Sequence, residues 1–379
     1  MSTIITRAAI ARPPHPNAWE ITELELQDPK AHEVRVKVMA AGLCHSEDHI
    51  THGDAPIRMT MVGGHEGAGV VEAVGPDVTR VREGDKVVLS YIPACGVCRP
   101  CSTGHSSMCV KGLNAGTGMF EDGTWRFHEK DGTDVGGFCS LGTFSQHVVV
   151  SEYAAVPLRI DFQDIPWEVL CLTGCGVPTG WGSSVYAAGV QVGDAVVIFG
   201  SGGVGSNAVQ GARFAGAQHV VVVDPVEFKR EMATTVFGAT KAFATAQEAH
   251  DYVNAVTWGQ LADKVILTPD AVTEEMLTAA VNMTGKGGKV QVTAVGHFGE
   301  HNMTFRAGAL ITYHRQVRGA LAGDSNLMYD IPKLLNLYKT GQLKLDELVT
   351  RKYALDEINQ AYQDMHDGKN IRGVIIHEH

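Results

Sequence analysis

Cys95, Cys98, Cys101 and Cys109 fall within fifteen residues, ACGVCRPCSTGHSSMC, separated by two, two and seven positions. Four soft anionic ligands in one short Gly- and Pro-containing loop can close a tetrahedron around zinc and leave no position open, which is the chemistry of a structural metal site. The competing chemistry is an iron–sulfur cluster, because C-x2-C-x2-C opens like a bacterial ferredoxin run. Such a run continues with cysteine after three residues and then proline, whereas here seven residues intervene and Val110 follows. Zinc is the better match.

A second cluster is built from glycine. Gly200-Ser201-Gly202-Gly203-Val204-Gly205 fits G-x-G-x-x-G, a pattern that means little alone in a chain with 43 glycines. Its setting carries more weight. The hexamer follows the apolar run DAVVIF and opens a stretch with small or apolar residues at Val204, Ala208, Ala212 and Ala215, a helical spacing. Strand, tight glycine turn and helix N-terminus together make a cradle for a pyrophosphate. Nineteen residues beyond Gly205 a VVVV run ends in Asp224. A carboxylate there accepts hydrogen bonds from the adenosine ribose and repels a 2′-phosphate, which favours NAD over NADP. The other reading of Asp224 is a cap for the next helix.

A third set is dispersed: Cys44 in AGLCHSEDH, His65 and Glu66 in GGHEGAG, and Cys175 in GCGVPTG. Two thiolates and an imidazole make a three-ligand zinc site with the fourth position open, as catalysis requires. Spacing alone does not select these residues from the other Cys and His, and a lone buried cysteine is more often core packing than ligand. Cys139 and Cys171 read as ordinary small apolar residues. Eight cysteines, half of them crowded together, in a long chain whose first residues lack a signal-peptide pattern point to metal in a reducing compartment rather than to disulfides.

The elements that must position these groups change character along the chain. Short runs at 33–39, 69–74, 86–89 and 145–150, separated by Gly, Pro and Asp, read as an irregular β-rich domain. From about Gln191 apolar strands at 195–199, 219–223, 264–267, 289–295 and 316–319 alternate with helical stretches at 204–214, 227–237 and 273–283, the signature of βαβ units on a parallel sheet. A helix at 327–340 and a final strand-like run at 373–377 follow. The class is α/β. The expected division is a catalytic domain of residues 1–178 and 322–379 around a nucleotide-binding domain of 179–321.

Bulk properties agree. Of 379 residues, 44% are hydrophobic and 19% charged, an ordinary globular balance with material for two domains. The net charge of −11 argues against sequence-independent nucleic-acid binding. No run approaches the roughly eighteen apolar residues of a membrane span, so a cytoplasmic protein is expected.

These elements, in this order, resemble the zinc-containing medium-chain alcohol dehydrogenases from the N-terminal domain to the late GKNIRG. The resemblance implies a GroES-like catalytic domain beside a Rossmann domain, and two zinc ions and NAD in each subunit. It makes Cys44, His65 and Cys175 the catalytic zinc ligands, with Glu66 beside the metal. Ser46 matches the hydroxyl that takes the alcohol's proton, and His49 its relay to solvent. His45 and Arg372 match pyrophosphate contacts, Lys229 an adenosine-ribose contact, and Thr179 a position by the nicotinamide; Tyr91 and Phe138 match pocket walls. Segments such as GDAPIRMTMVGGHEGAGVVEAVG are most similar to actinobacterial nicotinoprotein alcohol dehydrogenases, which keep NAD bound and are assayed with N,N-dimethyl-4-nitrosoaniline. The implied reaction is reversible oxidation of primary alcohols to aldehydes by a homo-oligomer. Alternatives are a conventional enzyme with exchangeable NAD, a mycothiol-dependent formaldehyde dehydrogenase, and a nucleotide-binding sensory relative. Glutathione-dependent relatives carry Arg four residues after the last lobe cysteine, and this chain has Leu113 there.

Overall fold

Strand Glu33–Gly42 shows how the first domain is organised. Its buried Val34, Val36 and Val38 alternate with half-buried Arg35, Lys37 and Met39, the period of a sheet with one face on a core. Each such valine contributes about 1.5–3 kcal/mol by leaving water. The strand pairs along its length with Glu66–Val74, and on its other edge with both His147–Ser151 and Arg372–Ile376. The computed structural model describes residues 3–13, 18–51, 59–294 and 307–379.

The chain divides into two compact units, Met1–Cys175 with Asn326–Leu337 and Leu348–His379, and Gly176–Ser325 with Tyr338–Glu347. The first holds a closed barrel of strands Thr3–Ala11, Glu20–Gln27, Phe127–His128, Asp134–Gly137 and Met61–Val62. Beside it in sequence order lies the seven-stranded sheet containing Glu33–Gly42. A buried carboxylate organises one loop of this unit: Arg126, 1% exposed, pairs with Glu33 and reaches Asp122 at 3.1 Å.

The second unit is a six-stranded parallel sheet in the order Lys241–Phe243, His219–Val223, Ala195–Phe199, Ala262–Leu267, Thr284–Val292 and Gln316–Gly319. Its central strands read as unbroken apolar runs because they are covered on both faces. Strand order reverses at Ala195–Phe199, which puts the topological switch point at its carboxyl end, where Gly200–Gly205 begins.

The units differ from the expected division at residues 176–178 and 322–325, which fall in the nucleotide unit, and in one longer stretch. Residues 338–347, expected with the catalytic domain, belong to the nucleotide unit. Gln210, buried in helix Gly203–Phe214, donates to the Lys344 carbonyl at 3.0 Å and accepts from the Lys344 amide at 2.8 Å, a two-way clamp on that segment. Position 178 itself lies inside helix Gly176–Gly182. The strand expected to reach 295 ends at Val292, and residues 295–306 lie outside those described.

His377 makes the first unit acid-sensitive. Burial holds its imidazole down to about 4, and the ring's Nε2 donates to the Thr143 carbonyl at 2.9 Å. Its folded pKa lies below the ordinary 6.5, so the unfolded chain binds the proton more readily. The stability that neutral His377 confers is present above pH 6.5 and is lost as the pH falls toward 4, about 3 kcal/mol in all. His377→Gln is therefore expected to gain on the parent by that amount between pH 7.5 and pH 4, read as the difference in urea midpoints. A constant difference would show that His377 does not titrate in this way.

Candidate catalytic and metal centres

The cysteine lobe folds as a knuckle. Gly96 and Gly104 take positive φ at the two turns, and Pro100 opens the short helix Arg99–Ser102 directly after Cys98. The four sulfurs lie within 4.8 Å of one another, with Cys95 to Cys101 at 4.0 Å and Cys98 to Cys109 at 3.9 Å. A tetrahedron with metal–sulfur bonds of about 2.3 Å has edges of about 3.8 Å, so the donors fit zinc. The Cys98 amide donates to the Cys95 sulfur at 3.4 Å. Backbone amides of Val110 and Cys101 hold Cys98 down to about 6, while burial pushes Cys109 up to about 12. Four thiolates cannot all ionise side by side without the cation that the site is shaped to take. Leu113 is 81% exposed just beyond the lobe.

The dispersed set also comes together. Cys44 follows the end of strand Glu33–Gly42, and His65 precedes strand Glu66–Val74 after Gly64, which takes φ +89°. Donor atoms of Cys44, His65 and Glu66 lie within 4.8 Å of one another, and the Cys175 thiol is within hydrogen-bonding reach of both Cys44 and His65. Contact with Cys175, then with His65, holds the Cys44 thiol well below its ordinary range. Burial works against a proton on His65, yet Glu47 and the Cys175 and Cys44 sulfurs outweigh it and raise its affinity. This is a pocket built to hold positive charge.

Glu47 is the site residue that the sequence reading missed. Fully buried, its carboxylate takes the Nδ1 side of His65, which leaves Nε2 as the ligand nitrogen. The signal was available, since Glu47 lies three residues after Cys44 in helix His45–Thr51 and so one turn along. Glu66, also fully buried, pairs with Arg372, and burial pushes it up to about 7 against the pull of that guanidinium. Arg372, 5% exposed, also donates to the Leu43 carbonyl at 2.8 Å. The side chain expected at a pyrophosphate is thus anchored beside the metal cluster.

Ser46 places its hydroxyl 3.5 Å from the Cys44 sulfur. His49 lies one turn further along the same helix and is 3% exposed, so the expected relay to solvent starts from a buried ring. His45, at the start of the helix, is half-buried. Tyr91 and Phe138 both stand edge-on to the His65 ring, each with centroids 5.5 Å away. Cys139, read as an ordinary small residue, follows Phe138 with φ +55°, and burial pushes its thiol up to about 12 within range of the charges on His65, Glu47 and Cys44.

In the second unit Gly200 takes φ +85° and Gly202 caps helix Gly203–Phe214. The first helical bond runs from Ser206 to the Gly202 carbonyl at 2.9 Å, so the amides of Gly203, Val204 and Gly205 have no acceptor inside the helix. A side chain at Gly202 would meet nothing within 4 Å, and the fully buried Ser201 hydroxyl has no hydrogen-bond partner among the described residues. Open space and outward amides at a helix N-terminus fit a pyrophosphate. Asp224 accepts from the Ser201 amide at 2.7 Å and the Val226 amide at 2.9 Å. It therefore braces the glycine turn, and each oxygen retains a lone pair for a ribose hydroxyl. Lys229 is half-buried in helix Glu227–Thr235. Thr179, 8% exposed, accepts at its carbonyl from Ser183 at 2.6 Å.

Among the described residues no helix is long and apolar enough to cross a membrane. The family described as alcohol dehydrogenase GroES-like domain matches residues 30–160, and that described as zinc-binding dehydrogenase matches 203–340. The chain is 50% identical over 359 residues to the NDMA-dependent alcohol dehydrogenase of Amycolatopsis methanolica, covering 95% of each. It is 43% identical to alcohol dehydrogenase B of Mycobacterium tuberculosis, covering 94% of each. Among solved structures, the benzyl alcohol dehydrogenase of Acinetobacter calcoaceticus superposes with a TM-score of 0.90 at 30% identity, over 99% of this chain and 100% of that one. With four thiols set for one metal, a second thiol–imidazole cluster and a glycine turn at a sheet's switch point, the chain belongs to the zinc-binding medium-chain alcohol dehydrogenases.

Proposed function

We propose that this alcohol dehydrogenase oxidises primary alcohols to aldehydes with NAD that stays bound through turnover. The convergence of Cys44, His65 and Cys175 beside the Ser46 hydroxyl carries the chemical reading. Similarity to a relative named as NDMA-dependent supports the retained cofactor, with N,N-dimethyl-4-nitrosoaniline as an acceptor that takes electrons without NAD leaving.

Cys44, His65 and Cys175 hold the catalytic zinc, which supplies Lewis acidity toward the substrate oxygen, and NAD supplies the hydride acceptor. Glu47 fixes the His65 ring so that Nε2 faces the metal position. Ser46 takes the proton of the alcohol hydroxyl, and His49, one helical turn on, passes it outward. Tyr91 and Phe138 flank His65 and keep water from that side. Gly200, Gly202, Gly203, Val204 and Gly205 receive the pyrophosphate, with His45 and Arg372 adding positive charge. Asp224 and Lys229 bind the adenosine ribose, and Thr179 lines the nicotinamide position. The cysteine lobe holds the second zinc, and the enzyme works in the cytoplasm as a homo-oligomer.

Denaturation of extensively dialysed protein, one half in acid to preserve NAD and the other in alkali to preserve NADH, followed by chromatography of the supernatants, is expected to release close to one NAD plus NADH per chain. Negligible release, with activity restored by added NAD, would leave an ordinary dehydrogenase with exchangeable cofactor.

A further inference from the structure

Helix His45–Thr51, which carries Ser46 and His49, has only seven residues, and Glu47, Asp48, His49, Ile50 and Thr51 in it are buried. A helix of about two turns does not hold its shape in water alone, so tertiary contacts must fix it. Three of its buried side chains are ionisable, and such groups are stable inside only when polar partners hold them.

Helix Ile358–His366 supplies contacts of both kinds. Ile358, Ala361, Tyr362 and Met365 share one apolar cluster with Leu43 and Ile50, the residues just before Cys44 and just after His49. Two polar contacts then set the register. The Tyr362 hydroxyl donates to the Cys44 carbonyl at 3.4 Å, and His366 Nε2 lies 2.7 Å from the Asp48 carboxylate. Tyr362 and His366 are four residues apart, as are Cys44 and Asp48, so the pair of contacts repeats at about one helical turn on each side. The anchoring helix is itself fixed. The Asn359 side chain accepts from the Trp19 amide at 2.8 Å and donates to the Trp19 carbonyl at 2.9 Å, while the Trp19 ring stacks on Tyr362.

We propose that His366 is a positioning residue for removal of the alcohol's proton, acting through Asp48 on the helix that bears Ser46 and His49. The inference rests on the reading of those two residues as the proton relay. Asp48 is 7% exposed, and its carboxylate oxygen can only accept, so His366 Nε2 carries the hydrogen between them. The His366 ring is 32% exposed and reaches Asp48 from the outer helix. A helix this short moves as one body, so a shift at Asp48 is passed to His49 beside it and to Ser46 two positions earlier. The metal side has a separate hold, because Glu47 grips His65 from the same helix. Loss of His366 therefore disturbs proton transfer and spares the zinc.

The test uses the whole zinc- and NAD-loaded enzyme and measures alcohol turnover in water and in deuterium oxide, with zinc counted in each variant. His366→Ala is expected to keep both zinc ions and to lose about 10–100-fold in turnover, the scale of a misplacement of about 1 Å. Its solvent isotope effect should rise, because proton removal becomes the slow step, and a mere loss of folded protein would not change that ratio. His366→Gln keeps a donor for Asp48 and should restore most of the turnover. The double variant of His366→Ala with His49→Gln should be no slower than the slower single variant, since linked residues do not add their losses. Parental turnover in His366→Ala, an unmoved isotope effect, multiplied losses in the double variant, or departure of one zinc would each overturn the role of His366. Parental turnover in His49→Gln would instead overturn the relay reading, and this role with it.

Discussion

Cys44→Ser is expected to leave a folded chain that holds one zinc in place of two and has lost alcohol turnover by about 10³–10⁵-fold. A serine hydroxyl stays protonated where the thiol ionises, so the pocket loses an anionic ligand and its grip on the cation. Without the Lewis acid the barrier rises by several kcal/mol, and each 1.36 kcal/mol is tenfold in rate. The backbone should survive, because the Cys44 carbonyl still accepts from the Tyr362 hydroxyl at 3.4 Å and Leu43 still pairs with strand Arg372–Ile376 through Gly373. The cysteine lobe is a separate set of four ligands, so one zinc remains. In the same assay Glu47→Gln gives the graded result: a neutral amide keeps the contact to His65 but weakens the push on its ligand nitrogen, and zinc affinity falls about 10–100-fold. Two zinc ions retained in Cys44→Ser, by elemental analysis, would remove Cys44 from the catalytic centre.

What the sequence made legible divides along a physical line. Local patterns survived translation into structure. Strands Ala195–Phe199 and His219–Val223 end where the apolar runs end, and the cysteine spacing brings four sulfurs within reach of one metal. Elements were missed where pattern is weak or tertiary contact decides. Lys241–Phe243 is a three-residue edge strand, too short for alternation to register. The helix after it, Ala246–Val256, carries a capping box in which Thr245 accepts from the Glu248 amide and the Glu248 carboxylate accepts from the Thr245 amide; the T-x-x-E signal was present and unread.

The proposed catalytic cluster was legible only through resemblance, because Cys44, His65 and Cys175 lie on three separate segments that only the folded first unit brings together. Glu47 was missed for a related reason. Its partner is His65, eighteen residues away, so the one local signal, its place a helical turn after Cys44, gains meaning only once His65 is known to stand beside that cysteine. Asp224 shows the reverse case, a residue expected to bind the ribose that in the fold holds the Ser201 amide.

The glycine turn gives the second large effect, and it separates two jobs done by adjacent glycines. At Gly205 a Cβ would lie 1.9 Å from the Gly200 carbonyl oxygen and 2.8 Å from the Thr268 hydroxyl. Both neighbours are fixed, since Thr268 already donates to the Phe199 and Gly200 carbonyls at 2.8 and 3.0 Å. Gly205→Ala must therefore push the helix away from the strand, which costs about 1–3 kcal/mol of stability and displaces the amides that face the pyrophosphate. NAD affinity is expected to fall by about 30–150-fold, on the scale of 1.4 kcal/mol per tenfold, and thermal stability to fall with it. At Gly202 the same added carbon meets nothing within 4 Å. Gly202→Ala should thus leave the melting temperature of nucleotide-free protein unchanged while obstructing the space at the helix N-terminus, and its loss of affinity should match or exceed that of Gly205→Ala. Calorimetric titration with NAD and thermal unfolding of both apo variants distinguish the two. Equal destabilisation would mean that the turn is only a packing device, whereas loss of affinity without loss of stability at Gly202 alone marks where the phosphates sit.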